Sequence, residues 1–253
     1  MNYFFGLKYR DFKTEITVPR FQNKSKTKLI YNLYEMKIIS NKWVLEKLND
    51  CELNDDFYLV KNDRVTNSNI FFLATQDEVK KFDNNKIINF NNFTDTWPEY
   101  RANLKIYIQG GGFSSYQSDY PYIMTTKQGN ILSSISSIFR EETDKNYLIL
   151  RNIYFKPIEE IFFLYFVDIK NKKIIDRLDV KTNYSNFIPI NKLLIKPEIY
   201  IMTDNFLGIP LFLSEHNKHL SIEHTHPPHT YVMSDDKYKI ISEIKKEVYE
   251  IIG

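Results

Sequence analysis

The stretch IFFLYFVDIKNKKIIDRLDVK, residues 161–181, decides the fold class. It begins with an apolar, aromatic run that is typical of a buried β-strand. Asn171 and Lys172 follow as a turn, and a second strand-like run extends from Ile174 to Val180. The stretch therefore predicts a β-hairpin.

Short runs with strand character lie on both sides of this hairpin. They are ANLKIYIQ (102–109), NYLILRNIYF (146–155), NFIPI (186–190), EIYIMTD (198–204), GIPLFLS (208–214), HLSIEH (219–224) and TYVM (230–233). Asn, Asp, Gly and Pro turns separate these runs, without helices between them, which favours antiparallel pairing. We therefore predict an antiparallel β-sandwich, Ig-like or jelly-roll-like, over residues 99–253.

The stretch SDDKYKIISEIKKEVYEII (234–252) has the pattern of an amphipathic helix. Ser234 is its predicted N-cap. The apolar residues that recur at helical spacing are Ile241, Ile244, Val248 and Ile251. We expect this face of the helix to pack on a sheet.

Residues 1–98 contain a mixture of strand-like and helix-like segments. NKWVLEKLND (41–50) predicts a helix capped by Asn41, and NIFFLATQDEVKKF predicts a strand followed by a helix capped by Thr75. The apolar residues at helical spacing in the first segment are Val44, Leu45 and Leu48. The whole chain is thus predicted to belong to the α+β class. A small α/β region covers residues 1–98, and the β-sandwich with its C-terminal helix covers residues 99–253. The two regions form either two domains or one continuous domain.

Composition limits the classes of function. Apolar residues make up 43% of the 253 residues, which is enough for a folded core, and 34 basic against 32 acidic side chains give a net charge of only +2. Nucleic-acid binders are usually strongly basic, so we expect no nucleic-acid partner. Cys51 is the single cysteine, which excludes an intramolecular disulfide and a thiolate metal cage. The sequence predicts neither a signal peptide nor a membrane span, so we expect a cytoplasmic protein without membrane partners. Nothing in the sequence predicts an oligomeric state.

The segment LSEHNKHLSIEHTHPPHTY, residues 213–231, contains all the histidines of the chain. They are His216, His219, His224, His226 and His229. In an extended strand, His224 and His226 point to the same face. Pro227 and Pro228 then end the strand and allow His229 to turn back towards the pair.

Three neutral imidazoles suit a divalent metal such as Zn, Fe or Mn, with an open position for a bound water of lowered pKa. We therefore predict a metal site on His224, His226 and His229, with His216 or His219 as a further ligand. If the protein is an enzyme, the water attacks a small-molecule substrate and Glu223 is the nearest general base. Glu223 faces away from His224 in a regular strand, so this role requires a β-bulge.

The histidine spacing is similar to motifs of two known families, and the sequence departs from both. It resembles the H-x-H-x-D-H motif of the metallo-β-lactamase fold, but Pro228 replaces the aspartate and no histidine follows His229. Cupins have H-x-H on a strand and a glutamate after three or four further residues, where this chain has Thr230 or Tyr231. A β-sandwich that carries a cupin-like pair of histidines is the alternative that the sequence leaves.

The loop QGGGFSSYQSDYPY (109–122) has the composition of a sugar-binding loop. Tyrosine rings stack on sugars, and amide and carboxylate groups bond their hydroxyls. The predicted ligand-binding residues are Tyr116, Gln117, Asp119, Tyr120 and, from the strand LILRNI, Arg151. This predicts an alternative function as a non-catalytic module that binds a carbohydrate or a protein partner, with structural histidines. The simpler interpretation is that the tyrosines cover the edge of the core and that Arg151 pairs with an acid such as Asp119 or Asp168. Contact between Arg151 and an anionic ligand is the alternative.

Overall fold

A computed structural model describes residues 2–20, 31–51, 56–89, 101–117, 119–127, 132–206, 208–224 and 234–253. Within these ranges the protein consists mainly of antiparallel β-sheets. In the same ranges, no helix combines the length and the apolar character needed to span a membrane.

Short strands follow one another along most of the chain. The strands of the first half are β1 (Asn2–Phe5), β2 (Phe12–Pro19), β3 (Asn32–Ile39), β4 (Lys42–Lys47), β5 (Phe57–Val60), β6 (Ile70–Ala74), β7 (Asn103–Ile108), β8 (Phe113–Gln117) and β9 (Asp119–Pro121). Those of the second half are β10 (Leu132–Ser134), β11 (Lys145–Arg151), β12 (Ile161–Asp168), β13 (Lys173–Lys181), β14 (Ser185–Ile190), β15 (Ile199–Thr203), β16 (Ile209–His216) and β17 (His219–His224). The helices are α1 (Gln76–Val79), α2 (Tyr122–Thr125) and α3 (Lys237–Ile252).

The strands form four sheets. Sheet I has the order β4-β3-β6-β1-β9, sheet II β5-β2-β7-β8, sheet III β14-β11-β16-β17 and sheet IV β10-β15-β12-β13. Every strand pair within these sheets is antiparallel. This confirms the predicted antiparallel β-rich character of the chain.

The hairpin predicted over residues 161–181 is confirmed as β12 and β13. Its turn contains Lys172 at φ 51°, and Asp168 accepts a hydrogen bond of 2.9 Å from the Asn171 backbone N–H. Most of β12 is buried, whereas β13 is a largely exposed edge strand. The apolar run thus became the inner strand, and the charged run became the outer one.

Two large apolar clusters lie on opposite faces of sheet III. On β11, Tyr147 and Ile149 belong to the cluster that includes sheets I and II. Leu148 and Leu150 belong to the cluster that includes sheet IV. Successive strand residues point to opposite faces, so the continuous apolar run of β11 reflects burial on both sides.

Helix α3 packs on sheet IV, as its amphipathic pattern predicts. Val248 is fully buried, and Ile244 and Ile251 pack against the same small cluster, which contains Tyr165 and Val167 of β12. The predicted N-cap was wrong. The helix begins after Asp236, and the Ser234 hydroxyl instead accepts from the Asp236 backbone N–H within a preceding turn.

The helix predicted over residues 41–50 was also wrong, because this segment contains β4. Ser40 and Asn41 have φ values of 50° and 58°, so they form the two-residue turn of a hairpin with β3. Asn41 is therefore a turn residue and not a helix cap. Trp43 is completely buried and its neighbour Val44 is 37% exposed, as expected for alternating strand residues.

The α/β character predicted for residues 1–98 is not confirmed. The described residues between 2 and 89 contain six strands and one four-residue helix, α1. That short helix does carry the predicted cap, since Thr75 and Glu78 form a reciprocal capping box.

The predicted division between residues 98 and 99 falls within 90–100, outside the described residues. Strands from both sides of it share sheets, because β7 pairs with β2 and β9 pairs with β1. The division into two domains stays a prediction. The strand predicted over 230–233 also lies outside the described residues.

Candidate functional site

Three of the five histidines lie on one hairpin at the edge of sheet III. Strands β16 and β17 are joined by Asn217 and Lys218, whose φ values of 50° and 63° make a tight two-residue turn. His216 and His219 stand opposite each other beside this turn, and His224 ends β17. His226 and His229 lie outside the described residues.

His216 interacts with the residues that close the turn. Its Nδ1 lies 3.6 Å from Asp144 Oδ1, and its Nε2 lies 3.1 Å from Asn217 Nδ2. Asp144 also accepts a 2.7 Å hydrogen bond from the Asn217 backbone N–H. His216 is thus held in an exposed position by a local turn network.

His219 packs against the glycines of the β7–β8 turn. The Gly112 backbone N–H donates to the Lys218 carbonyl oxygen at 2.9 Å. A Cβ atom at Gly112 would lie 3.1 Å from His219 Nδ1, and one at Gly111 would lie 2.7 Å from the Lys218 oxygen. The glycines therefore allow two turns to approach closely, a structural role that the sequence did not reveal.

His224 lies beside the tyrosine-rich loop. Its ring centroid is 5.2 Å from that of Tyr116, at an interplanar angle of 61°. Two residues earlier along the same two strands, the Ser114 hydroxyl accepts a 3.1 Å hydrogen bond from the Ile222 backbone N–H. Burial, followed by the charges of Asp119 and Glu223, raises the pKa of Tyr116 to about 12. The structure thus brings together the two segments that the sequence singled out separately.

The histidines of β17 do not form a single cluster. His219 and His224 are five strand residues apart, about 16 Å between Cα atoms, and point to opposite faces. In the described parts of the chain, no group of three or more His, Cys, Asp or Glu side chains is placed to hold a metal ion. A site of three such ligands centred on His224 therefore needs at least one ligand from outside the described residues.

Glu223, the predicted general base, is exposed on β17. The pairing with β16 runs from His219 to His224 without a register shift, so this stretch contains no β-bulge. Glu223 accordingly points away from the face that carries His224. Its role as a base stays a prediction and requires it to reach around the end of the strand.

The predicted ligand-binding residues lie at different depths. Tyr116 and Gln117 are half-buried on β8, and Gln117 Nε2 donates to Asp119 Oδ2 at 2.6 Å. Tyr120 and Arg151 have no exposed surface. A ligand that reaches all five residues would have to enter the interior.

No protein-family model matches the chain, and no curated protein or solved structure matches it either.

A surface cavity of about 530 Å³ lies between the segment after β11 and the turn that precedes Ile87. Its lining residues are Asn41, Asn85, Lys86, Phe155, Lys156, Pro157, Ile158, Glu159 and Glu160. Sequence reasoning missed this cavity. Because its lining residues come from three distant segments, no local pattern predicts it.

Proposed function

We propose that the protein binds a divalent metal ion, Zn, Fe or Mn, through His224, His226 and His229. The observation that carries this proposal is the contact between His224 and Tyr116. It places the end of the histidine strand beside a loop with aromatic and hydrogen-bonding groups. Covalent geometry keeps the Cα of His226 within about 7 Å of that of His224, and only four residues lie between His224 and His229.

A metal held by three imidazoles keeps an open position, where a water of lowered pKa supplies a nucleophile. In this proposal, a small-molecule substrate lies over Tyr116 and Gln117. The hydroxyl of Tyr116 remains protonated at neutral pH because its pKa is about 12, so it can donate a hydrogen bond to the substrate. His216 and His219 lie at the other end of the hairpin and are not assigned as ligands.

Protein purified without an affinity tag is expected to contain about one equivalent of metal per chain. His224→Ala should weaken zinc affinity by roughly 100-fold or more, because even groups that only support a metal ligand change affinity by 10–100-fold. Elemental analysis and competition with a chromogenic chelator measure both quantities.

His216→Ala is the matched control, since it makes the same substitution in the same hairpin at an exposed side chain. It should leave zinc affinity unchanged. Clearly substoichiometric metal in the wild type, or equal affinities of the two variants with native circular dichroism, would contradict the proposal.

A second function, the binding of a carbohydrate by a non-catalytic module, is favoured by an exposed aromatic patch. Phe113, at the start of β8, is 65% exposed. Lys105 Nζ lies 5.0 Å from its ring centroid and 5.2 Å from that of Tyr107. An exposed ring flanked by a hydrogen-bond donor is the arrangement on which sugars stack.

If this second function is correct, a glycan screen should identify a ligand whose affinity falls roughly tenfold in Phe113→Ala. Tyr238→Ala, which removes a 67% exposed aromatic side chain from α3, should not change that affinity. Absence of binding across broad glycan classes would leave only the metal proposal.

We also infer that sheets III and IV form the predicted β-sandwich. Leu148, Leu150 and Phe212 of sheet III share one apolar cluster with Phe162 and Leu164 of sheet IV. Inward-facing residues of two sheets that pack together form such a core. The Ig-like or jelly-roll-like type of the sandwich remains a prediction.

A further inference from the structure

Arg151 is a completely buried cation that, among the described residues, has no carboxylate partner. Its Nη1 donates to the Asn67 carbonyl oxygen at 2.6 Å and lies 3.4 Å from Ser185 Oγ. Its Nη2 donates to the Asn69 carbonyl oxygen at 3.4 Å. The Cζ atom lies 5.7 Å from the centroid of the Phe5 ring. All these partners are electrically neutral.

The ion pairs predicted for Arg151 are therefore wrong. Asp168 instead accepts hydrogen bonds from Asn171 in the β12–β13 turn, and Asp119 accepts from Gln117. Across the described ranges, no acidic side chain pairs with the guanidinium. Burial lowers the pKa of Arg151 to about 9, so the side chain is still charged at neutral pH.

Two buried polar atoms in this region have no hydrogen-bond partner in the described structure. They are Arg151 Nε and the hydroxyl oxygen of Tyr120. Tyr120 lies on β9, opposite Tyr3 of β1, and has no exposed surface. A buried polar group that is left unpaired destabilises the folded state, so an unpaired Arg151 Nε and Tyr120 hydroxyl indicate a bound partner.

Geometry brings Arg151 and Tyr120 to the same part of sheet I. Tyr120 lies opposite Tyr3 on β1, and Phe5, two residues further along β1 on the same face, has its ring centroid 5.7 Å from Arg151 Cζ. Burial raises the pKa of Tyr120 to about 12, while the Ile153 backbone N–H, which approaches the hydroxyl oxygen, and the Arg151 charge act in the opposite direction. A backbone N–H can only donate, so the hydroxyl proton of Tyr120 has no acceptor among the described residues. Because Tyr120 keeps its proton at neutral pH, the region presents two unused donors, one of which carries a positive charge.

We propose that Arg151 Nε and the Tyr120 hydroxyl donate to a small monovalent anion, such as chloride, held in the interior between sheets I and III. A water molecule could pair with both groups but would leave the buried charge uncompensated. An anion pairs with both groups and also neutralises the guanidinium, whose loss of hydration is otherwise uncompensated. This site is separate from the histidine hairpin and does not depend on the proposed metal.

Unfolding in sodium chloride and in sodium gluconate at equal ionic strength tests this site. A ligand that binds only the folded state stabilises it in proportion to its concentration. Each tenfold rise in chloride above its dissociation constant should thus lower the unfolding equilibrium constant about tenfold, with no such effect of gluconate. Tyr120→Phe should weaken the apparent chloride affinity at least about tenfold.

Tyr58→Phe is the matched control, because the Tyr58 hydroxyl is buried but donates to the Tyr31 carbonyl oxygen at 2.7 Å. It should lower overall stability and leave the chloride dependence unchanged. Equal unfolding of the wild type in chloride and gluconate would overturn the proposal, as would unchanged chloride dependence in Tyr120→Phe.

Wild-type crystals soaked in bromide provide a test that does not depend on any variant folding. An anomalous peak within hydrogen-bond distance of Arg151 Nε is expected. Density for a water molecule at that position, without an anomalous peak, would overturn the proposal.

Discussion

Trp43→Ala is expected to lower the free energy of unfolding by about 4 kcal/mol. Trp43 has no exposed surface and belongs to the cluster that includes sheets I and II. Its indole Nε1 also donates to the Phe155 carbonyl oxygen at 3.2 Å. The substitution therefore opens a large cavity and removes a hydrogen bond that joins β4 to the segment after β11. Urea denaturation measures the change.

Val44→Ala is the matched control for this prediction. Val44 follows Trp43 on β4, points to the other face and is 37% exposed. Its loss should cost less than about 1 kcal/mol. A helix over residues 41–50 would bury Val44 instead, so a larger loss in Val44→Ala than in Trp43→Ala would contradict the strand.

Asn183→Ala is expected to cost about 3 kcal/mol. Asn183 is 3% exposed and has φ 54°. Its Oδ1 accepts from the Tyr154 backbone N–H at 2.8 Å, and its Nδ2 donates to the Lys156 and Ile158 carbonyl oxygens at 3.0 and 2.8 Å. Alanine removes these three hydrogen bonds and disfavours the left-handed conformation. Urea denaturation again measures the loss.

Two variants separate the contributions at Asn183. Asn183→Gly keeps the left-handed conformation and loses only the hydrogen bonds, so it should cost about 2 kcal/mol. Asn205→Ala changes an exposed residue at φ 65° and should cost only about 1 kcal/mol. Equal losses in Asn183→Ala and Asn205→Ala would show that the hydrogen bonds contribute nothing.

The parts of the fold that the sequence predicts correctly are those with a strong local cause. The apolar run of β12 favours burial by its own composition. The turn that follows it is stabilised by a hydrogen bond between Asp168 and Asn171, which are close in sequence. The apolar stripe of α3 and the capping box of Thr75 are local in the same sense. Such features need no knowledge of distant residues.

The error over residues 41–50 has an equally definite cause. In ten residues, the apolar positions of a strand and of a helix overlap, so spacing alone does not separate them. The deciding features are the left-handed conformations of Ser40 and Asn41 and the burial of Trp43 against distant residues. Pairing with β3 therefore outweighs the local helical pattern.

The candidate site shows the same division between local and distant causes. Residue types single out the histidine segment and the tyrosine loop, but their contact depends on β8 meeting β17, which lies about a hundred residues later. The environment of Arg151 was also beyond prediction. Two of its partners are backbone carbonyl oxygens from a loop more than eighty residues earlier, and carbonyl oxygens carry no signature in the sequence.

Strand β11 has a consequence for how the protein loses structure. Because Ile149 and Leu150 point into different apolar clusters, separating β11 from either neighbouring layer exposes one face of the same strand. Unfolding of one apolar cluster therefore exposes β11 and destabilises the other cluster, so the two clusters are energetically coupled. The contacts responsible join residues far apart in sequence, so folding has to close long loops before both faces of β11 are covered, which makes it intrinsically slow.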